Sequence, residues 1–326
     1  MREISYLEAV TEALREALAA DERVYLIGED IGVYGGGFGA TKGLEEEFGA
    51  ERVRSTPISE SAIAGVAVGS AMTGLRPVME LQFSDFITVA MDQLVNQAAK
   101  IHYMYNGQAK VPLVMRTAGG SGTGAAAQHS QSLENWMAHI PGLKVLQPST
   151  PYDVKGLLHA AIKDENPVMV YEHKLLYKEV GLVPEEPYEL PLGVADCKRE
   201  GRDLTIIATG LMVQKSLEAA TTLATEGIDV EVMDPRTLVP LDVAGLQASA
   251  AKTKKVLVVT EAVQASGFSA ELAAVIAEAG VAQVRRLGGA FTPMPAQKQL
   301  EHLATPQVET IIAAVKEMVG TVHEVQ

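Results

Sequence analysis

The sequence predicts an α/β fold of two consecutive parallel-sheet units, on three observations. Short β-branched runs alternate with stretches of helical periodicity, the pattern left by parallel strands joined through crossover helices. The alternation stops at a proline-rich stretch, residues 181–193 ("GLVPEEPYELPLG"), and then resumes. The 326 residues are enough for two domains, each with its own core. A first domain is expected over 1–180, a linker over 181–200 and a second domain over 201–326.

In chain order, the opening residues 1–20 ("MREISYLEAVTEALREALAA") are charged throughout. They read as an amphipathic helix over 6–19 rather than a secretory signal, having no apolar core and no cleavage context. Strands are expected at 23–28 ("RVYLIG"), 76–81 ("RPVMEL"), 111–116 ("VPLVMR"), 143–148 ("LKVLQP") and 167–172 ("PVMVYE"). Helices fall between them at 61–73, 85–103, 130–139 and 151–163. Residues 62–75 carry no charge but are too few and too rich in Gly and Ala for a membrane span, so they read as a buried helix. Beyond 193, "DLTIIATG", "IDVEVMD", "KVLVVTE" and "VRRLGG" are strands, with helices near 212–225, 241–252, 269–279 and 308–319.

Composition narrows the function. With 47% hydrophobic and 21% charged residues the chain is an ordinary globular protein. A formal charge of −14 argues against a nucleic-acid partner, which needs clustered Lys and Arg, and against anionic membranes. One cysteine, Cys197, excludes an intramolecular disulfide framework and fits a reducing compartment, so a cytoplasmic location is expected.

The glycine-rich loop 116–131 ("RTAGGSGTGAAAQHSQ") follows a strand, and Gly120, Gly122 and Ala125 match a relaxed dinucleotide fingerprint. That reading lacks the acid expected at the end of the next strand, which offers Gln147 instead. His129 stands at the expected start of the following helix, beyond a strand's carboxyl end, where open α/β sheets hold ligands. A structural histidine is the plain alternative. No His or Cys spacing suits zinc, and no G-x-S-x-G elbow supports a serine hydrolase. Gln82 and Phe86 lie just past another strand end, where Phe86 is equally readable as core. The runs 45–48 ("EEEF") and 252–255 ("KTKK") read as solvated faces. Glu60, after Ser59, opens the uncharged helix. It is either a charge complementing the helix dipole or a reagent.

These segments together are similar to one family. "YLIGEDIGVYGG", "TPISESAIAGVAVGSAMTGLRPVMEL", "DQLVNQAAK", "AAAQHSQSLENW", "PGLKVLQPSTPYDVKGLL", "DENPVMVYEHKLLY" and "DPRTLVPLD" resemble the beta subunit of thiamine-diphosphate-dependent 2-oxo acid dehydrogenases, of the pyruvate and acetoin type. The resemblance runs nearly end to end. It implies a pyrimidine-binding domain of transketolase type followed by a transketolase C-terminal domain.

It also implies roles. Glu60 would bond a ring nitrogen of the aminopyrimidine, favouring the tautomer whose exocyclic nitrogen takes the thiazolium carbon's proton. Phe86 would pack on that ring, Gln82 would line its pocket and Ile58 would help seat it. His129 would contact the reacting centre and assist acyl transfer to a lipoyl group. Leu113, Ala161, Ile162, Asp164 and Asn166 match positions that hold a structural potassium ion in some members. No G-D-G diphosphate motif occurs, so magnesium and the diphosphate would be held by an alpha subunit in a heterotetramer of two alpha and two beta chains. The product would pass to a dihydrolipoyl acyltransferase through its lipoyl domain. Gln128 before the histidine resembles the pyruvate and acetoin branches more than the branched-chain one. A beta subunit of pyruvate dehydrogenase type is the leading expectation, an acetoin dehydrogenase beta subunit the close rival, and a non-catalytic scaffold the alternative of different class.

Overall fold

Residues 1–320 are described by the computed structural model. They form two compact units: Met1–Gly119 with Trp136–Leu192, and Gly120–Asn135 with the chain from Gly193 onward.

Unit one opens with β1 (Arg2–Ser5), whose last residue caps α1 (Tyr6–Ala20). The Ser5 hydroxyl accepts from Glu8 N at 3.2 Å while the Ser5 amide donates to the Glu8 carboxylate at 2.7 Å, a reciprocal box that satisfies two amides the helix cannot. There follow β2 (Val24–Glu29), α2 (Leu44–Phe48), β3 (Val53–Thr56), α3 (Glu60–Met72), β4 (Arg76–Leu81), α4 (Ala99–Met104), β5 (Val114–Gly119), α5 (Glu134–Ala138), β6 (Lys144–Leu146), α6 (Pro151–Lys163), β7 (Val168–His173) and β8 (Val180–Val183). The main sheet runs β6–β7–β5–β4–β2–β3, every pairing parallel. Every residue of β2, β5 and β7 is buried, as parallel strands covered on both faces require. Helices α1 and α6 are tied by a buried ammonium: Lys155 pairs with Glu12 and, at 3.0 Å, with Glu16, which also meets His159 Nε2 at 2.7 Å.

Several elements differ from expectation. The stretch expected as linker begins with β8, which pairs antiparallel with β1, and ends with a strand of the second sheet. The helix expected over 85–103 is a 3₁₀ segment (Ser84–Ala90), a π segment (Asp92–Ala98) and α4. The β-branched run Ile87-Thr88-Val89 crowds a regular α turn. The helix expected over 130–139 shrinks to α5, which places His129 in a turn rather than at a helix start. Helix α3 buries only one side: Ile63, Ala64, Ala67, Val68 and Ala71 are covered, whereas Val66 and Met72 are exposed.

Unit two contains β9 (Asp196–Arg199), β10 (Leu204–Ala208), α7 (Leu211–Thr225), β11 (Val230–Asp234), β12 (Thr237–Val239), α8 (Val243–Thr253), β13 (Lys255–Val263), α9 (Ser269–Ala279), β14 (Gln283–Gly289), α10 (Lys298–Ala304) and α11 (Val308–Val319). Its sheet runs β14–β13–β10–β11–β9, with β9 the antiparallel edge. Ile206, Val232 and Leu257 pack beneath α7 and α11 through Val213, Leu223 and Ile311. Gly201 is obligatory, because a β-carbon there would lie 2.2 Å from Glu231 N. Among the described residues no helix is long and apolar enough to cross a membrane.

Candidate functional site

In unit one Glu60, Gln82 and Phe86 lie past the carboxyl ends of parallel strands, where α/β sheets place ligands. Thr56 ends β3 beside Glu29, the last residue of β2, and the chain turns through Ile58 into α3. Glu60 is the first residue of that helix and only 8% exposed, and the Ser59 hydroxyl makes no cap bond. Glu29, 6% exposed, accepts from Ser59 N at 3.3 Å. Burial, and then the charge of Glu60, push the Glu29 pKa up. Two carboxyls thus share one dehydrated corner, where each disfavours the charge of the other. The sequence pointed to Glu60 alone. Its signal for Glu29 is an acid closing an otherwise apolar strand, "VYLIGE".

An aromatic wall lies beyond the end of β4. Phe86 meets Phe83 edge to face at 5.8 Å, Phe83 meets Phe38 at 5.6 Å, and Phe38 meets Tyr177 at 5.3 Å. Gln82 and Phe86 are partly exposed, and Gln82 runs beside Gly37. Ile58 is 82% exposed, so on this chain it covers nothing. An acid pair for a ring nitrogen and an aromatic face for a ring suit a nitrogen heterocycle such as aminopyrimidine.

Beneath this wall runs a buried ionic network. Arg116 donates to Glu172 through Nε at 2.7 Å and Nη2 at 2.8 Å, and to Glu80 through Nη1 at 2.8 Å; Tyr177 OH donates to Glu172 at 2.8 Å. Burial pushes the Glu80 carboxyl up, Arg116 opposes this, and Glu172 on the same guanidinium adds to it. Burial opposes the Arg116 charge, but Glu172 and Glu80 outweigh it and raise its pKa.

His129 belongs to unit two with the glycine loop. It is partly buried, and its amide donates to Ala126 O at 3.4 Å. The loop's amides are taken up within the chain: Gly122 N, of the fingerprint, and Gly124 N donate to Glu301 at 2.6 and 3.1 Å, and Ser121 N donates to Glu261 at 2.6 Å.

Of the five potassium candidates, Leu113 O accepts from Val168 N at 2.9 Å, Ala161 O from Asp164 N at 3.2 Å, and Ile162 O from Arg76 at 3.0 Å. Asp164 O also accepts from Arg76, at 3.1 Å, while its carboxylate holds Lys144 and the Asn166 amides. Each carbonyl keeps a second lone pair, and an all-oxygen set suits a hard cation. The donors therefore fit, with Arg76 as a competing cation. Among the described residues the one grouping of three metal-capable side chains is Cys197, Glu200 and Glu231. Lys252 already pairs with both carboxylates, and burial, then Glu231 and Glu200, push the thiol up to about 11. That is no magnesium site.

The transketolase pyrimidine-binding domain model matches residues 2–179 and the transketolase C-terminal domain model residues 193–311. The acetoin:2,6-dichlorophenolindophenol oxidoreductase subunit beta of Bacillus subtilis (strain 168) is 44% identical, over 98% of each chain. From the same organism, the 2-oxoisovalerate dehydrogenase subunit beta is 46% identical over 98% of this chain and 99% of its own. The pyruvate dehydrogenase E1 component subunit beta is 45% identical over 90% and 92%. A solved structure described as a split-gene transketolase, an inactive beta4 tetramer, superposes with a TM-score of 0.81 at 24% identity, covering 97% of this chain and 99% of that one, and so shares the fold. The chain belongs to the transketolase-type beta subunits of the 2-oxo acid and acetoin dehydrogenases.

Proposed function

We propose that this chain is the beta subunit of a pyruvate-type dehydrogenase, working with thiamine diphosphate in an assembly of two alpha and two beta chains. The observation that carries the reading is the buried Glu60, with Glu29 beside it, at the mouth of α3. The cofactor, when bound, supplies a nucleophilic carbon and an electron sink for loss of carbon dioxide from a 2-oxo acid. Glu60 would hold the proton at the pyrimidine ring nitrogen, with the buried Glu29 carboxyl beside it. Phe86 gives the ring a face, and Gln82 lines its edge. His129 serves acyl transfer to the lipoyl group of an acyltransferase.

The exposed apolar surface supports a partner chain. Ile58, Val66 and Met72 stand open on and beside the helix that begins with Glu60, apolar side chains that a partner chain would cover. The alpha subunit closes it and brings magnesium and the diphosphate contacts. The cytoplasm is the proposed location, from the single cysteine.

Identities to the acetoin, oxoisovalerate and pyruvate enzymes are nearly equal, at 44%, 46% and 45%. Turnover of the reconstituted alpha–beta complex decides: pyruvate is expected to give the highest kcat/KM. A preference for acetoin or a branched-chain oxo acid would replace the substrate named here.

Potassium at the α6 end is expected to raise the melting temperature over sodium at equal ionic strength, by about 2–4 °C if the ion contributes 1 kcal/mol. An identical melting temperature in the two salts removes the ion from the account.

A further inference from the structure

We propose that Glu301 is an internal anion that fills the amide nest of the glycine loop and thereby positions His129. The proposal rests on the reading of His129 as the residue serving acyl transfer.

The backbone has positive φ at Gly120, Gly122, Gly124 and Ala126. Such alternation turns neighbouring amides toward one point and makes a concavity for an anion. In phosphate-binding glycine loops an external oxyanion occupies that point. Here the Gly122 and Gly124 amides meet the two oxygens of one carboxylate, at 2.6 and 3.1 Å. Glu301 is 3% exposed, so water competes little for these charge-assisted bonds. A second carboxylate, Glu261 on β13, takes the amide and the hydroxyl of Ser121. The loop is therefore pinned at three amide donors, Ser121, Gly122 and Gly124, before it reaches Ala126, whose carbonyl receives the His129 amide. Beyond that point Ala127, Ser130 and Leu133 form one wall of a cleft of about 320 Å³, faced by Phe291 and Met294. A loop released from Glu301 would let this wall and His129 drift together.

The test uses the assembled alpha–beta enzyme carrying Glu301→Ala, with Glu301→Gln as the milder variant that keeps one oxygen acceptor. Two activities are read on one substrate: acyl transfer to a lipoyl domain, and reduction of the dye dichlorophenolindophenol, which needs no acyl transfer. In Glu301→Ala, lipoyl-dependent turnover should fall about 10- to 100-fold, the effect of a small misplacement of a reacting group. Dye reduction should stay at the parent rate, and sodium acetate should restore part of the loss. Glu301→Gln should lie between. Equal loss of both activities overturns the proposal, because a merely structural residue depresses them together.

A readout independent of activity is the melting temperature of the isolated chain. Acetate should raise it in Glu301→Ala over chloride at equal ionic strength, and leave the parent unchanged. No acetate response, or the same response in both proteins, also overturns the proposal. If Glu301→Ala does not fold, Glu301→Gln carries the activity comparison, and loss of both activities together there overturns it. A parent complex inactive toward the lipoyl domain would instead sink the functional reading, while the melting comparison would still decide whether the loop is an anion nest.

Discussion

Glu60→Gln in the assembled enzyme is expected to lower kcat by about 10²- to 10⁴-fold, the range that a positioned acid–base group contributes. Glutamine has the same shape and still offers an oxygen to the helix mouth, so the fold has no reason to change. What it loses is the capacity to hold a proton at one moment and release it at the next. Glu60 is buried, and the Glu29 carboxyl beside it is pushed up by burial and then by the Glu60 charge, because one dehydrated corner does not favour two full negative charges. Glu29→Gln should be milder, since it removes the neighbour that tunes the corner and leaves the reagent. The double variant should be little worse than Glu60→Gln alone, as residues acting as one device are not additive. Melting temperature and co-purification with the alpha chain should match the parent in all three. Undiminished turnover in Glu60→Gln would leave the scaffold reading standing, in which the acid only complements the helix dipole.

The α/β plan was legible because buried parallel strands announce themselves as apolar runs: β2, β5 and β7 need no partner to be recognised. Strands β1, β8 and β9 were not, since each has only four residues and largely exposed or half-exposed positions. Their pairing comes from tertiary contact rather than local pattern. The site divides in the same way. Glu60 stood out as a charge opening an uncharged helix, and His129 as a histidine beside a glycine loop. Glu172 and Glu301 carried no such mark. Glu172 lies 56 positions from the arginine it pairs with, and Glu301 is 179 from the amide it accepts. A carboxylate's partner at such separations is set by the fold, so spacing cannot show it. The glycine loop was misleading for the same reason: its backbone suits an anion, but the anion is supplied by the chain itself.

The buried network under the aromatic wall carries the largest expected stability effect. Arg116→Met should destabilise unit one by about 3–5 kcal/mol, the cost of removing one member of a buried ion pair. The side chain of Arg116 is 2% exposed and that of Glu172 is fully buried. Without the guanidinium, Glu172 and Glu80 would face each other with Tyr177 as the remaining donor, and water could not enter to solvate them. Methionine fills most of the volume, so the loss would report charge rather than cavity. For a unit of this size the melting temperature should drop on the order of 10 °C. Glu80→Gln makes the contrast. Burial, and then Glu172 on the same guanidinium, already push that carboxyl toward its neutral form against the pull of Arg116, and the amide oxygen can still accept from Arg116 Nη1, so the cost should be small. Adding Glu80→Gln to Arg116→Met should recover part of the loss, because it removes one of two stranded carboxyls. Differential scanning of the four proteins tests this directly. If Arg116→Met melts with the parent, the two acids are neutral without help and the network contributes no net stability. If the double variant is worse than the single by the full cost of Glu80→Gln, the two sites act independently and the shared-charge account fails.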